Sequence, residues 1–217
     1  MVSSRTLSET LSGLRQEVRA PVRVLYDALV KRLTDSATAE GALGKGDAFP
    51  EFVLPDVEGG FALSSELLKL VPLVISFYRG QWCPFCSAAA EAMSAATPAL
   101  AAAGATVIGV SPELGHLSFA KSRKRGLNFR MLSDLDNGLA LQCGLLFRLT
   151  DDIIRDYRAH GLDLAKVYGG GSWFLPIPAS YIVLPNGNVS RAFVNPDFRY
   201  RMDPEDILQA VQGFKRR

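Results

Sequence analysis

Two short, continuous apolar runs constrain the fold of this chain more than any other feature. They cover residues 72–78 (PLVISFY) and 105–111 (ATVIGVS). Runs of this length without a polar face are typical of strands buried on both sides of a sheet. An alanine-rich segment of helical length, residues 87–104, lies between them and closes with a glycine, as many helices do. The sequence therefore predicts a buried sheet with helices packed on it.

The remaining pattern continues this alternation of strands and helices. We predict a strand at 52–54, followed by a turn, a strand and a short helix over 58–67 that Ser64 or Ser65 caps. A helix at 112–126, a strand at 129–134 and short helices at 137–146 and 151–160 come next. The chain then forms a hairpin over 180–194 that turns at Asn186–Gly187, and a helix at 203–213 capped by Asp203. A long segment with glycines and prolines, residues 159–178, is typical of a functional or covering loop. The order indicates an α/β fold with a mixed central sheet and helices on both faces.

An apolar stripe runs along the first part of the chain. Leucines and valines recur every three or four residues over about 4–38, which predicts a helix that Pro21 kinks or splits. The stripe is compatible with packing on the chain's own domain and with a homodimer interface. A glycine-rich break at 39–50 then separates a helical extension, residues 1–43, from a main domain, residues 44–217.

Composition and net charge limit the compartments and the partners that this chain is expected to have. Three cysteines are too few, and odd in number, for a secreted disulfide scaffold. The first twenty residues lack the continuous apolar core of a signal peptide, and no window approaches the roughly 18 apolar residues of a membrane span. We therefore expect a cytoplasmic protein. A formal net charge of +2 gives no case for nucleic-acid or membrane partners.

The candidate chemistry lies in Cys83–Pro84–Phe85–Cys86, between the first buried strand and the alanine-rich helix. Cys83 stands where an N-cap residue would stand, and Pro84 occupies the first helical position. The positive potential of a helix N-terminus favours thiolate over thiol, and thiolate is the reactive species. Arg79 would add positive charge, and Trp82 would shield one side.

Inert and metal-binding interpretations of this pair are weaker than a redox one. A zinc site needs about four ligands, and the chain has only one further cysteine and two histidines. We expect no metal and no cofactor. Cys143 is expected to be a small core residue, and His116 and His160 to be surface or satisfied side chains. The basic run at 121–125 is expected to be a solvated helix end.

Four segments together resemble a known family. "GKGDAFPEFVLPDVEGG", "LVISFYRGQWCPFC", "GVSPE" and "MLSD" are similar to the peroxiredoxin-like branch of the alkyl hydroperoxide reductase and thiol-specific antioxidant family. The resemblance covers roughly residues 44–213. It implies a thioredoxin-like fold and the reduction of hydroperoxides by a cysteine that passes through sulfenic acid to a disulfide.

The active-site residues depart from the family pattern at several positions. The usual signature is Pro-x-x-x-Thr-x-x-Cys, which places Cys86 on the peroxidatic cysteine, Cys83 on the threonine and Arg79 on the proline. The family also tends to place an arginine just before the late strand, where this chain has Pro178. Thioredoxins keep a cis-proline at that place, and the nine-residue offset from Pro178 to Gly187 matches their pattern. We therefore expect a cis bond at Pro178, the alternative being an ordinary loop proline before a strand.

Three functions follow as hypotheses, and the length of the resemblance favours the first. A thiol-dependent peroxidase would attack hydrogen peroxide or an organic hydroperoxide with Cys86, resolve with Cys83, use Arg79 to stabilise charge, and be recycled by a thioredoxin-like reductant. A thiol-disulfide oxidoreductase would instead attack a protein disulfide with Cys83 and hold the partner's chain at Pro178. The third hypothesis is an interaction module whose cysteines merely pair.

The peroxidase hypothesis also predicts a substrate pocket. Its walls would be the aromatic side chains that flank the cysteines, Tyr78 and Trp82, together with Phe77, and Pro178 would lie beside the sulfur atoms.

Overall fold

A five-stranded mixed sheet forms the centre of the protein. The computed structural model describes residues 5–69, 71–115 and 126–214. The central strands follow the spatial order β5-β4-β3-β8-β9, and β1-β2 and β6-β7 form two small antiparallel pairs. The strands are β1 Val53–Pro55, β2 Phe61–Leu63, β3 Leu73–Phe77, β4 Thr106–Ser111, β5 Arg130–Ser133, β6 Leu146–Arg148, β7 Phe174–Pro176, β8 Ala179–Val183 and β9 Val189–Val194.

Helices cover this sheet and frame its edges. They are α1 Leu7–Glu17, α2 Ala20–Asp35, α3 Ser64–Leu67, α4 Pro84–Ala102, α5 Gly138–Gln142, α6 Asp151–Ala159, α7 Leu164–Tyr168 and α8 Pro204–Phe214. Two short 3-10 turns occur at Thr38–Gly41 and Leu135–Asn137. The predicted α/β fold with a mixed sheet flanked by helices is confirmed.

The two apolar runs lie at the middle of the sheet. β3 is parallel to β4 and antiparallel to β8, and all five residues of β3 are buried. α4 connects β3 to β4, as a helix usually does when two neighbouring strands run parallel. This arrangement places the start of α4, and with it both cysteines, at the carboxyl end of the central strand.

The N-terminal stripe packs on the chain's own core. The predicted single helix is split, because α1 ends at Glu17 and α2 begins at Ala20 with a proline in its first turn. Leucines on the inner faces of α1 and α2 are buried in the main hydrophobic cluster; they are Leu7, Leu11, Leu29 and Leu33. Covering them within the chain stabilises the fold by roughly 1.5–3 kcal/mol for each fully buried side chain. The stripe therefore packs on the chain's own domain, and the homodimer interface stays a prediction.

Some local predictions were wrong. Neither Ser64 nor Ser65 caps α3, because its N-cap is Leu63 and makes no side-chain bond; the Ser64 hydroxyl instead accepts the backbone N–H of Phe52 at 3.0 Å. The predicted helix at 137–146 is shorter and is followed by β6. Residues 112–115 form bends and a turn rather than helix. Residues 116–125 of that predicted helix, with His116 and the basic run at 121–125, lie outside the described residues.

The described residues contain neither a candidate membrane span nor a candidate metal cluster. Within residues 5–69, 71–115 and 126–214, no helix combines the length and the apolar character that crossing a membrane requires. Over the same ranges, no cluster of three or more His, Cys, Asp or Glu side chains is arranged to bind a metal ion.

Candidate active site

The loop between β3 and α4 carries the candidate site. Tyr78 directly follows the last residue of β3, and its N–H donates to the carbonyl of Val110 at 2.8 Å. The chain then turns at Gly80, whose φ of +136° few residues with a side chain adopt. Cys83 is the N-cap of α4, with an extended backbone and Pro84 directly after it. Its carbonyl accepts the N–H of Cys86 at 3.0 Å, so the predicted position of the pair at the helix start is confirmed.

Arg79 supplies the positive charge at this loop. Its side chain is 1% exposed, and its Nη2 donates to the Sγ of Cys83 at 2.9 Å. The guanidinium lies 3.7 Å from the ring centre of Phe198 and 5.3 Å from that of Trp82. Nε and Nη1 of Arg79 have no hydrogen-bond partner among the described residues. A buried cation therefore contacts one sulfur and keeps two donors available for a ligand.

A second arginine reaches the other sulfur from a distant part of the chain. Nη2 of Arg201 lies 3.4 Å from the Sγ of Cys86, and the backbone N–H of Arg79 donates to the same sulfur at 3.4 Å. Arg201 lies in the segment before α8 and is anchored by donating to the carbonyls of Phe198 and Tyr200. Arg201 is not among the predicted site residues, because no local pattern in the sequence marks it.

The two thiols differ sharply in acidity. Burial raises the pKa of Cys83, but the S–H of Cys86 and the charges of Arg79 and Arg201 together lower that pKa well below the ordinary thiol value. Burial raises the pKa of Cys86 well above that value, and the bond that its S–H donates to Cys83 raises it further. These directions favour Cys83 as the thiolate of the pair and Cys86 as the thiol.

A hydrogen-bond network behind the loop fixes its shape. The hydroxyl of Tyr168 donates to the carbonyl of Arg79 at 2.5 Å and accepts the indole N–H of Trp82 at 3.1 Å. The buried carboxylate of Glu113 accepts the backbone N–H of Gln81 at 3.0 Å. Tyr168 ends α7, so the segment at 159–178, expected to be a functional or covering loop, contributes a residue to the site.

A pocket of about 360 Å³ opens beside Arg79. Trp82 and Phe85 line it from the loop and from α4, and Tyr26 and Tyr157 from α2 and α6. The hydroxyls of Tyr26 and Tyr157 lie 3.5 Å apart. Both cysteines are fully buried, and Arg79 joins the pocket to Cys83 because it lines the one and donates to the other.

The sequence of this chain matches the model of a known family. The model of the AhpC/TSA family matches residues 45–192 of this chain. The chain belongs to the AhpC/TSA family. This family match does not include α1 and α2.

Relatives of the AhpC/TSA chain include plant proteins named for peroxiredoxin Q. A putative chloroplastic peroxiredoxin Q of Oryza sativa subsp. indica is 36% identical over 107 residues, which cover 48% of each chain. Chloroplastic peroxiredoxin Q of Triticum aestivum is 33% identical over 146 residues, which cover 65% of this chain and 66% of the wheat protein. The match thus spans about half the length of the rice protein.

Solved structures of peroxiredoxins share the fold of the AhpC/TSA chain. The peroxidoxin BcpB of Mycobacterium tuberculosis superposes with a TM-score of 0.60 at 20% identity, over 79% of this chain and 97% of that one. A cysteine-to-serine mutant of PrxQ from Xylella fastidiosa gives a TM-score of 0.62 at 17% identity, over 80% of this chain and 98% of that one. The thioredoxin-like fold implied by the sequence is confirmed.

Not all side chains predicted for the AhpC/TSA site come together. Cys83, Cys86, Arg79 and Trp82 form one cluster, as described above. Tyr78 is buried in the main core and lines a cavity of about 10 Å³ on the side of Arg201, away from the Arg79 pocket. The prediction of a cis bond at Pro178 was wrong, because the Ile177–Pro178 bond is trans, the form that X-Pro bonds in folded proteins usually adopt.

Proposed function

We propose that this AhpC/TSA protein is a thiol-dependent peroxidase that reduces hydroperoxides through Cys83 and Cys86. One observation carries the proposal, the bond of 2.9 Å between the Arg79 guanidinium and the Cys83 sulfur inside a buried site. That contact favours the thiolate that attacks a peroxide. It also leaves two unused guanidinium donors, Nε and Nη1, where the oxygens of the substrate would approach.

The first step oxidises one sulfur. The Cys83 thiolate attacks the distal oxygen of the hydroperoxide, so an S–O bond forms as the O–O bond breaks. The sulfur loses two electrons, and the leaving alkoxide or hydroxide takes up a proton and departs as an alcohol or water. Arg79 stabilises the negative charge on the leaving oxygen through its free donors, as preorganised hydrogen-bond donors do in other active sites. Because Cys86 retains its proton, it is the poorer nucleophile for this step.

The second step forms the disulfide. The sulfur of Cys86 attacks the sulfenic acid of Cys83, an S–S bond forms, and water leaves with the Cys86 proton. The sulfurs are not bonded in this structure, where all three cysteines are free. A thioredoxin-like dithiol then reduces the disulfide by exchange and is itself oxidised. The cytoplasm as the compartment stays a prediction.

This assignment of roles differs from the one that the family resemblance implies. The resemblance places Cys86 on the peroxidatic position, whereas the contacts with Arg79 favour Cys83. A low-pKa first cysteine also suits a thiol-disulfide oxidoreductase, which is the second candidate. The side chain of Cys83 is 0% exposed, and a hydroperoxide reaches such a sulfur more readily than an extended protein chain does. Burial therefore favours the peroxidase.

Rapid mixing of the reduced protein with hydrogen peroxide tests the proposal. We expect oxidation much faster than that of a free thiol at the same pH. Cys83→Ser should abolish the fast phase, Cys86→Ser should keep it and stop at a trappable sulfenic acid, and Cys143→Ser serves as the matched control. Oxidation no faster than that of a free thiol would overturn the peroxidase. If the fast phase is lost in Cys86→Ser and kept in Cys83→Ser, Cys86 is the cysteine that attacks the peroxide.

A further inference from the structure

The pocket beside Arg79 has two walls of different origin. One wall comes from the segment that joins α1 to α2 and from α2 itself, and it presents Val18, Val22 and Tyr26. The facing wall comes from the part of the chain that the family matches, including Trp82 and Tyr157. Since the family match begins at residue 45, one of the two walls is built by residues outside it.

The lining of the pocket suits an uncharged organic group. Aromatic and aliphatic side chains form most of the surface, which is typical of small-molecule sites. A cavity of about 150 Å³ lined by apolar side chains is known to hold benzene, so about 360 Å³ admits an aromatic ring with substituents. Hydrogen peroxide would leave most of this surface unused.

Charged groups at the rim neutralise one another. Arg19 lies with Nη2 2.9 Å from Nε2 of His160, and the other ring nitrogen of His160 lies 3.4 Å from the carboxylate of Asp156. Glu17 is the remaining charged rim residue. The rim therefore has one arginine, one histidine and two carboxylates, so it holds no excess of positive charge that would select an anionic tail.

A polar anchor lies at the inner end of the pocket. Arg79 is 1% exposed, lines the pocket, and has two nitrogens without a partner among the described residues. An unpartnered buried donor is costly unless a ligand supplies an acceptor. The oxygens of a hydroperoxide are such acceptors, and an organic group attached to them would point outward between the two walls.

We infer that the N-terminal helices α1 and α2 form the selectivity wall of this pocket, and that the pocket holds the bulky apolar group of an organic hydroperoxide. Val18, Val22 and Tyr26 are then specificity-determining residues. The inference rests on the proposed peroxidase for its chemistry, in which the organic hydroperoxide becomes an alcohol and Cys83 a sulfenic acid. It does not rest on it for binding, because the alcohol product should occupy the same pocket without any reaction.

The decisive experiment compares two substrates in matched variants. Val18→Trp fills the pocket from the half-buried junction of α1 and α2. Val24→Trp is the control, since Val24 lies on α2 with 68% of its surface exposed and does not line the pocket. We expect Val18→Trp to lower kcat/KM for cumene hydroperoxide about tenfold or more while changing that for hydrogen peroxide much less. The control should change neither.

Binding of the unreactive product 2-phenyl-2-propanol, measured by ligand-observed NMR, separates the inference from the proposed function. Binding by wild type and by Val24→Trp, with loss in Val18→Trp, supports the pocket even if the protein proves inactive. Val22→Ala, which enlarges the pocket, provides a second variant if Val18→Trp does not fold, and it should shift the ratio of the two kcat/KM values. An equal loss for both substrates, an unchanged ratio, or no binding of the alcohol would overturn the inference.

Discussion

Arg79 and Cys83 form a buried contact of 2.9 Å between a guanidinium nitrogen and a sulfur. The arginine is held by the ring of Phe198 on one side and by the backbone bond from Tyr168 on the other. Its pKa stays above the usual arginine value despite burial, which acts to lower it, because the negative charge of Cys83 compensates. The contact therefore favours a positive charge on Arg79 and a thiolate at Cys83 in the same buried space.

Replacing Arg79 by Met should raise the pKa of Cys83. The variant keeps an aliphatic stem but loses the charge and the hydrogen bond that favour the thiolate. The pH titration of the ultraviolet thiolate absorbance measures this change directly. Peroxide oxidation should slow by about a hundredfold, the order found for loss of a charge-stabilising donor. Arg158→Met is the control, because Arg158 is exposed and lies over the ring of Trp173. An unchanged thiolate titration would contradict the role of Arg79.

The pH dependence of the reaction with peroxide should show that one of the two cysteines is already a thiolate at neutral pH. Because the pKa of Cys83 is lowered and that of Cys86 is raised, the fast reaction with peroxide should persist below the ordinary thiol pKa and disappear only as acid protonates Cys83. Cys86→Ala removes a hydrogen-bond donor to the thiolate, so the acid limb should move to higher pH. A limb that lies at the pKa of a free thiol in the wild type would refute this assignment.

Tyr168→Phe should destabilise the loop between β3 and α4 without removing a hydrogen bond to either sulfur. The change leaves the Arg79 carbonyl and the Trp82 N–H without their hydroxyl partner in a buried setting, which costs about 1–3 kcal/mol of unfolding free energy. Chemical denaturation measures the loss. Tyr200→Phe is the matched control, because Tyr200 is 46% exposed. Equal effects of the two substitutions would show that the hydroxyl of Tyr168 has no special part.

Gly80→Ala tests the crowding behind the loop. A Cβ at this position would lie 2.6 Å from a carboxylate oxygen of Glu113 and 2.7 Å from the indole nitrogen of Trp82. Gly187→Ala shares the positive φ but has nothing within 4 Å, so it measures backbone strain alone, about 1–3 kcal/mol. Denaturation midpoints should show a larger loss for Gly80→Ala. An equal loss would mean that strain, and not packing against Glu113 and Trp82, makes glycine necessary there.

Local signals in the sequence predicted the central part of the fold and the place of the cysteines. The continuous apolar run of β3, the proline at the first position of α4 and the cysteine before it act within a few residues of one another, so they could be interpreted without tertiary information. The contact between Arg79 and Cys83 follows from the same short loop.

Other parts of the site depend on contacts across the chain. Arg201 reaches Cys86 from 115 residues away, and Tyr168 reaches Arg79 from 89 residues away. Neither residue belongs to a motif, because what brings each of them to the site is the docking of one segment on another. The pocket was missed for the same reason, since the stripe of α1 and α2 showed which face is apolar but not where the joint between the helices would lie.

The buried guanidinium of Arg79 has a consequence for the energy balance of the cysteine pair. A thiolate carries a negative charge, whereas a sulfenic acid or a disulfide is neutral. Any oxidation of Cys83 therefore removes the counterion of a cation that is 1% exposed, and isolated buried charges are costly. The charge of Arg79 therefore disfavours the oxidised forms of Cys83, and it is compensated again when a reductant restores the thiolate.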